Sequence, residues 1–292
     1  MALAVNGAPD PGAQPDRLVV PAPAQLNAFL HVTGRRADGW HELETLYTLI
    51  DLADTLTLRV RDDGAIVRMN DVEGVPPQAD LAIRAAERLK ARTGTALGVE
   101  IRIDKTIPMG AGLGGGSSDA ASVLLALNRL WRLGLSRGDL ATIGVALGAD
   151  VPFFVGGEAA LARGIGERLT PVSLPAAWIV LVTPRAHVAT ASIFAAPELT
   201  RSTPSAKMEV FSEGYGRNDL AGVACARHPA VAEALEALLE VDPRARMTGS
   251  GACVFAAFAS PAQAQAAAAR LRPGIDATIA RTLARHPLAS FA

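Results

Sequence analysis

The residues richest in chemistry lie in the run Pro108, Met109, Gly110, Ala111, Gly112, Leu113, Gly114, Gly115, Gly116, Ser117, Ser118, Asp119. Glycines lack Cβ, so successive backbone N–H groups can converge on a single anion. The spacing predicts a helix opening at Ser117 or Ser118, whose free amides and positive dipole end would face the same point. A phosphate fits there; the alternative is a flexible connector whose serines cap the helix. Gly110, Gly112 and Gly115 also satisfy G-x-G-x-x-G, but no returning parallel strand with an acidic residue follows, as a dinucleotide fold requires. Gly116 occupies the position where a Walker loop needs Lys. A second candidate is Asp150, after a helix end at Gly148 and before Pro152: a turn former, or a carboxylate for proton transfer.

Around these residues the pattern predicts the elements that must position them. Ala24 to Val32 alternates, with Gln25, Asn27, Phe29 and His31 on a face turned to the site. A turn at Thr33 to Gly39 leads to extended stretches through Leu43, Leu46 and Leu49 and through Leu56, Leu58 and Val60. A helix is expected over Leu81 to Leu89, a strand at Val99 to Ile103, the glycine run, a helix through Leu124 and Trp131, and another from Leu140 to Leu147. Pro152 implies extended or turn backbone at Asp150 and Val151. Beyond Leu169 come a strand at Trp178 to Val182, a helix marked by Val231, Leu235 and Leu238, a glycine turn from Met247 to Gly251, a strand from Cys253 to Phe258 and an Ala-rich helix. Strands and helices mix without regular alternation, so the class is α+β. No internal repeat is evident.

Composition narrows the functions. The 292 residues suit one large domain or two ordinary ones, with a core of Ala, Leu and Val, since half the chain is hydrophobic and 4% aromatic. A net charge of −1 carries no footprint for nucleic acid or an anionic membrane. Cys225 and Cys253 make no disulfide framework and no metal-ligand spacing, which suits a reducing cytoplasm. Met1 to Asp16 is read as a flexible tail without signal-peptide character, and Ala176 to Val182 is far short of the roughly 20 residues of a membrane span.

The run from Pro108 to Ala121, together with Pro23 to Asn27, Thr33 to His41, Leu147 to Pro152 and Thr248 to Phe255, resembles the GHMP kinases in order and spacing over nearly the whole chain. The resemblance implies a two-domain fold: an N-terminal ATP-binding domain over 17–168, with a left-handed-crossover-type sheet, and a ferredoxin-like C-terminal domain over 169–292. It implies a kinase of the non-mevalonate isoprenoid pathway that phosphorylates the 2-hydroxyl of a methylerythritol unit carried on cytidine diphosphate. Mg²⁺ would enter with ATP, no protein metal site is expected, and the chain would act as a monomer or homodimer. Asp150 matches the family's catalytic aspartate, and Pro108 to Ser118 with Lys105 would bind ATP. Asn27, Trp40, His41, Thr190 and Phe194 would bind the substrate, Trp40 where relatives carry Tyr beside the base; Phe194 also reads as a core aromatic. Gly249 and Gly251 would pack on the phosphate loop, or form a plain tight turn.

Gln25 departs from the pattern, since relatives have Lys there. That Lys is understood to keep the aspartate ionised. Three readings stay open: compensation by another cation (Arg35, Arg36 or Lys105), a slow enzyme, or a nucleotide-binding protein without catalysis. A GHMP kinase for another small alcohol is a further alternative.

Overall fold

The computed structural model describes residues 16–205 and 216–292. Apart from Asp16, the expected tail lies outside the described residues.

Two long strands, β1 (Arg17–Arg35) and β2 (His41–Arg61), form a hairpin that runs through the whole N-terminal half. β2 unites the two extended stretches expected separately. Its length lets it pair with β1, with β4 (Gly98–Asp104) over one part and with β5 (Ala160–Gly164) over another. β3 (Ile66–Arg68) adds in parallel to β4, and β6 (Arg168–Pro171) pairs with β5. The expected boundary at 168/169 therefore falls inside a paired strand; we put the division between the halves in 172–177, where the sheet ladder is interrupted.

The strict alternation expected of β1 does not hold. Its register shifts between Pro23 and Ala24, between Asn27 and Leu30, and between Val32 and Gly34. Each irregularity changes which face the next residue meets. Phe29 accordingly packs with Leu46 and Leu161 instead of facing the site, and His31 accepts a hydrogen bond from the Arg217 N–H at 3.3 Å and does not line the cavity.

Helices α1 (Leu81–Thr93), α2 (Gly115–Leu130), α3 (Arg137–Val145) and α4 (Val151–Gly156) cover one face of this sheet. Local signals set their ends. Asp80 caps α1 by accepting from the Ala82 N–H, Gly94 closes it in the left-handed region, and Ser136 with Asp139 forms a capping box on α3. From Ser118 to Leu130 every residue of α2 but Arg129 is buried, as a helix apolar all round must be. Two expectations are corrected. α2 starts at Gly115 with Gly114 as its cap, and Ser118, instead of capping, is drawn into the core with its hydroxyl on the Pro23 carbonyl. Asp150 lies in a turn, one of the two conformations expected, with φ −84° and ψ −19°, but Val151 is helical: Pro152 lies in the first turn of α4, where its missing N–H is not needed.

In the C-terminal half, β7 (Trp178–Val182), β8 (Arg246–Met247), β9 (Val254–Phe258) and β10 (Ala277–Leu283) form an antiparallel sheet in the order β10-β7-β9-β8. The short helices α5 (Thr190–Phe194) and α6 (Ala221–Arg227), with α7 (Pro229–Leu239) and α8 (Pro261–Ala268), pack its apolar side. Thr282 and Leu283 of β10 pair with Ile50 and Leu49 of β2, tying the halves together.

Leu124 is fully buried at the centre of the N-terminal core, between α2 and the helices around it. Leu124→Ala is expected to lower unfolding free energy by about 2–5 kcal/mol in a urea titration; a loss below about 1 kcal/mol would show that this core is not closely packed.

Candidate active site

A cavity of about 1100 Å³ opens between the halves, and every expected site residue except Ser118 lines it. Its wall is the loop between β4 and α2. Gly110, Gly112 and Gly114 have φ of +67°, +76° and +71°, a region that L side chains rarely adopt. The loop is pinned by backbone from both halves: the Gln25 N–H donates to the Leu113 carbonyl at 2.9 Å, and the Cys253 N–H to the Ala111 carbonyl at 3.2 Å. A Cβ on Gly112 would lie 2.5 Å from the Thr248 carbonyl oxygen, and one on Gly249 would lie 2.8 Å from the Gly112 carbonyl oxygen. The two glycine turns thus touch backbone to backbone, as the sequence implied.

The unpaired amides of the first turn of α2 lead on from this loop. Ser118 does not serve there: it is buried and its hydroxyl donates to the Pro23 carbonyl at 2.6 Å. Ser117, half-buried, does line the cavity. Lys105 is held by carboxylates on two sides, 2.5 Å from Asp54 and 2.7 Å from Asp119. Burial works against its charge, but the two carboxylates outweigh burial and raise its pKa. Burial, opposed by Lys105 and reinforced by Asp54, pushes the Asp119 carboxyl up to about 7. Asp119 Oδ1 is buried without a hydrogen-bond partner among the described residues.

Asp150 lines the same cavity. Its Oδ2 accepts from Gln25 Nε2 at 3.2 Å and its Oδ1 from the Tyr47 hydroxyl at 2.9 Å. Burial raises its pKa, and these two bonds pull the other way; no charged side chain of the described residues contributes. None of the three cations considered as substitutes is bonded to it. Lys105 is tied to Asp54 and Asp119, Arg36 pairs with Asp38 at 2.9 Å, and Arg35 Nε donates to the Gly39 carbonyl at 3.4 Å.

The chain belongs to the GHMP kinase family. The family model "GHMP kinases N terminal domain" matches residues 80–158, and "GHMP kinases C terminal" matches residues 207–274. The 4-diphosphocytidyl-2-C-methyl-D-erythritol kinase of Cupriavidus necator is 56% identical over 277 residues, covering 93% of this chain and 95% of the relative. The enzyme of the same name from Burkholderia ambifaria is 53% identical over 281 residues, 93% and 96% of the two chains. A crystal structure of 4-(cytidine 5'-diphospho)-2C-methyl-D-erythritol kinase aligns with TM-score 0.78 at 36% identity, over 90% of this chain and 98% of that one. Homoserine kinase from Cytophaga hutchinsonii shares the fold, with TM-score 0.66 at 18% identity over 94% and 96% of the chains. The protein is therefore a small-molecule kinase, a phosphotransferase of an ATP-using family.

At the far end of the cavity, Trp40 is 61% exposed and presents its ring at the rim. His41 accepts from Arg201 Nε at 3.0 Å, and its ring centroid lies 5.1 Å from that of Phe194. Burial, then Arg201 and Arg35, lowers the His41 pKa, so this kinase carries a neutral imidazole there. Phe194 lines the cavity and also packs on the C-terminal core, joining both readings made of it. Thr190 shares a 2.7 Å hydrogen bond with Ser250, and Asn27 donates from Nδ2 to Thr45 at 2.8 Å.

Sequence reasoning missed Tyr47, Asp119, Ser250 and Arg201. Tyr47 carried a faint signal, a phenol in an apolar strand whose hydroxyl needs a partner once buried. Asp119 carried another, a charge opening a helix otherwise apolar. Nothing local marked Ser250 or Arg201.

The contact of the two glycine turns makes a sharp prediction. Gly112→Ala, strained and blocked by the Thr248 carbonyl, is expected to weaken ATP binding at least roughly tenfold in calorimetry. Gly156→Ala, whose Cβ meets nothing within 4 Å, should bind ATP as the wild type does. Equal affinities for both variants would contradict the interlock.

Proposed function

We propose that this kinase transfers the γ-phosphoryl group of ATP to the 2-hydroxyl of 4-diphosphocytidyl-2-C-methyl-D-erythritol in the non-mevalonate isoprenoid pathway. The observation that carries the reading is Asp150: a half-buried carboxylate with each oxygen held, on the cavity that the phosphate loop walls. The acceptor oxygen attacks the γ-phosphorus, its proton passes to Asp150, and the bond to the β–γ bridging oxygen breaks to release ADP. The amides of Gly110 to Ser117 grip the phosphates, with Lys105 beside them.

Mg²⁺ fits this chain. The ion would come with ATP. Asp119, with its partnerless buried Oδ1, and Ser117 would be its protein ligands. When bound, it neutralises phosphate charge.

Trp40 would stack on the cytosine, with His41 and Phe194 closing the other side. Gln25 Oε1, buried and without a hydrogen-bond partner, supplies an acceptor for a hydroxyl of the polyol. No helix of the described residues is long and apolar enough to cross a membrane, and the two free thiols accord with a cytoplasmic setting.

The test is incubation of the purified protein with ATP, Mg²⁺ and the cytidine substrate, followed by ³¹P NMR. A new phosphomonoester resonance and stoichiometric ADP are expected; ATP left intact would overturn the reading. Asp150→Asn should lower kcat by about 10²–10⁴, the range of general base catalysis. Because the base must be ionised while burial raises its pKa, kcat should fall on acidification from a pH above the ordinary carboxylate range. Gln25→Lys places a cation beside Asp150, so this acid limb should move to lower pH and kcat should rise. An unmoved limb would mean that Asp150 does not govern the rate.

A further inference from the structure

Tyr47 lies in the middle of β2, 4% exposed, opposite Asn27 in the β1–β2 ladder. Its ring packs 4.8 Å from that of Phe153, in the first turn of the helix that Asp150 opens. The same α4 turn therefore fixes both the carboxylate and the ring that faces it. The hydroxyl donates to Asp150 Oδ1, the shorter of the two hydrogen bonds on that carboxylate, and Gln25 takes Oδ2. Two neutral donors thus hold a half-buried carboxylate on which no cation of the described residues acts.

We infer that Tyr47 is the positioning residue of the phosphoryl transfer, its O–H fixing the Asp150 carboxylate toward the acceptor and stabilising its ionised form in place of a cation. The inference rests on Asp150 as the base of the reaction proposed above. A phenol suits the task chemically. A hydrogen bond to a charged acceptor is stronger than one between neutral groups. Burial and the Asp150 charge hold the Tyr47 pKa well above its ordinary value, with Asn27 acting weakly the other way, so the hydroxyl stays a donor wherever the enzyme works. The groups facing Asp150 from the packed elements are Gln25 of β1 and Tyr47 of β2, and removing the phenolic O–H leaves the amide as the remaining side-chain donor.

The test is Tyr47→Phe, which keeps the ring contact with Phe153. Relative to wild type, kcat at pH 7 should fall about tenfold and its acid limb should move up by roughly one pH unit, the shift expected for one lost hydrogen bond to a charged group. KM for ATP and for the acceptor should stay within about twofold, since the lost O–H is engaged with Asp150 and not free to bind substrate. Adding Gln25→Lys to Tyr47→Phe should bring the limb back down, a rescue that repacking alone does not produce. Independently of turnover, ¹³C NMR of aspartate-labelled protein without substrate, with the Asp150 carboxyl assigned by its loss in Asp150→Asn, should give a titration about one unit higher in Tyr47→Phe. An unchanged Asp150 titration overturns the inference, as does a loss of kcat with the limb unmoved. If Asp150→Asn turns over like wild type, the base assignment fails instead, and the NMR titration still decides whether Tyr47 controls the carboxyl.

Discussion

The site depends on one close approach of backbone to backbone. The glycine loop after β4 is seated against the glycine turn before β9, with the Cys253 N–H on the Ala111 carbonyl and room for no Cβ on Gly112 or Gly249. The loop amides would otherwise sample many directions, and ordering them on binding would cost affinity. Here the ordering is done by folding. The same contact joins the N-terminal half to the C-terminal half, so the cavity walls are fixed by the seating of the loop. Gln25 belongs to this arrangement twice: its N–H holds the Leu113 carbonyl and its side chain holds Asp150. One residue of β1 thereby sets the distance between the phosphate grip and the carboxylate.

Electrostatics then distinguishes the two carboxylate environments of the cavity. The Lys105, Asp54 and Asp119 cluster keeps a cation beside the loop, with Asp54 further satisfied by the N–H groups of Thr106 and Ile107. Asp150 has no such partner, and its carboxyl is raised by burial. A base with a raised pKa accepts a proton more readily but is ionised over a narrower range of pH.

Much of this was legible in the sequence because it rests on local backbone requirements. The glycine run and the five strands that matched are set by residues within a few positions of one another. The register of β1 was not legible: its irregularities put Phe29 and His31 away from the site, and alternation carries no mark of an inserted residue. Ser118 looked like a cap and turned out to hold the Pro23 carbonyl, a contact across 95 positions. Tyr47 reaches Asp150 across 103 positions and Arg201 reaches His41 across 160. Such partners are chosen by packing of distant elements. The Val151 backbone illustrates the converse: the proline after it, which discourages helix in its predecessor, is overridden in the first turn of a buried helix.

The central claim is that loop amides and the Asp150 carboxylate meet across one acceptor hydroxyl. A crystal structure with a non-hydrolysable ATP analogue and the cytidine substrate tests it most directly. The account predicts the terminal phosphate on the amides between Gly110 and Ser117, with the 2-hydroxyl oxygen between it and Asp150, in hydrogen-bond reach of the carboxylate. A terminal phosphate bound elsewhere, or an acceptor hydroxyl turned away from Asp150, would contradict it.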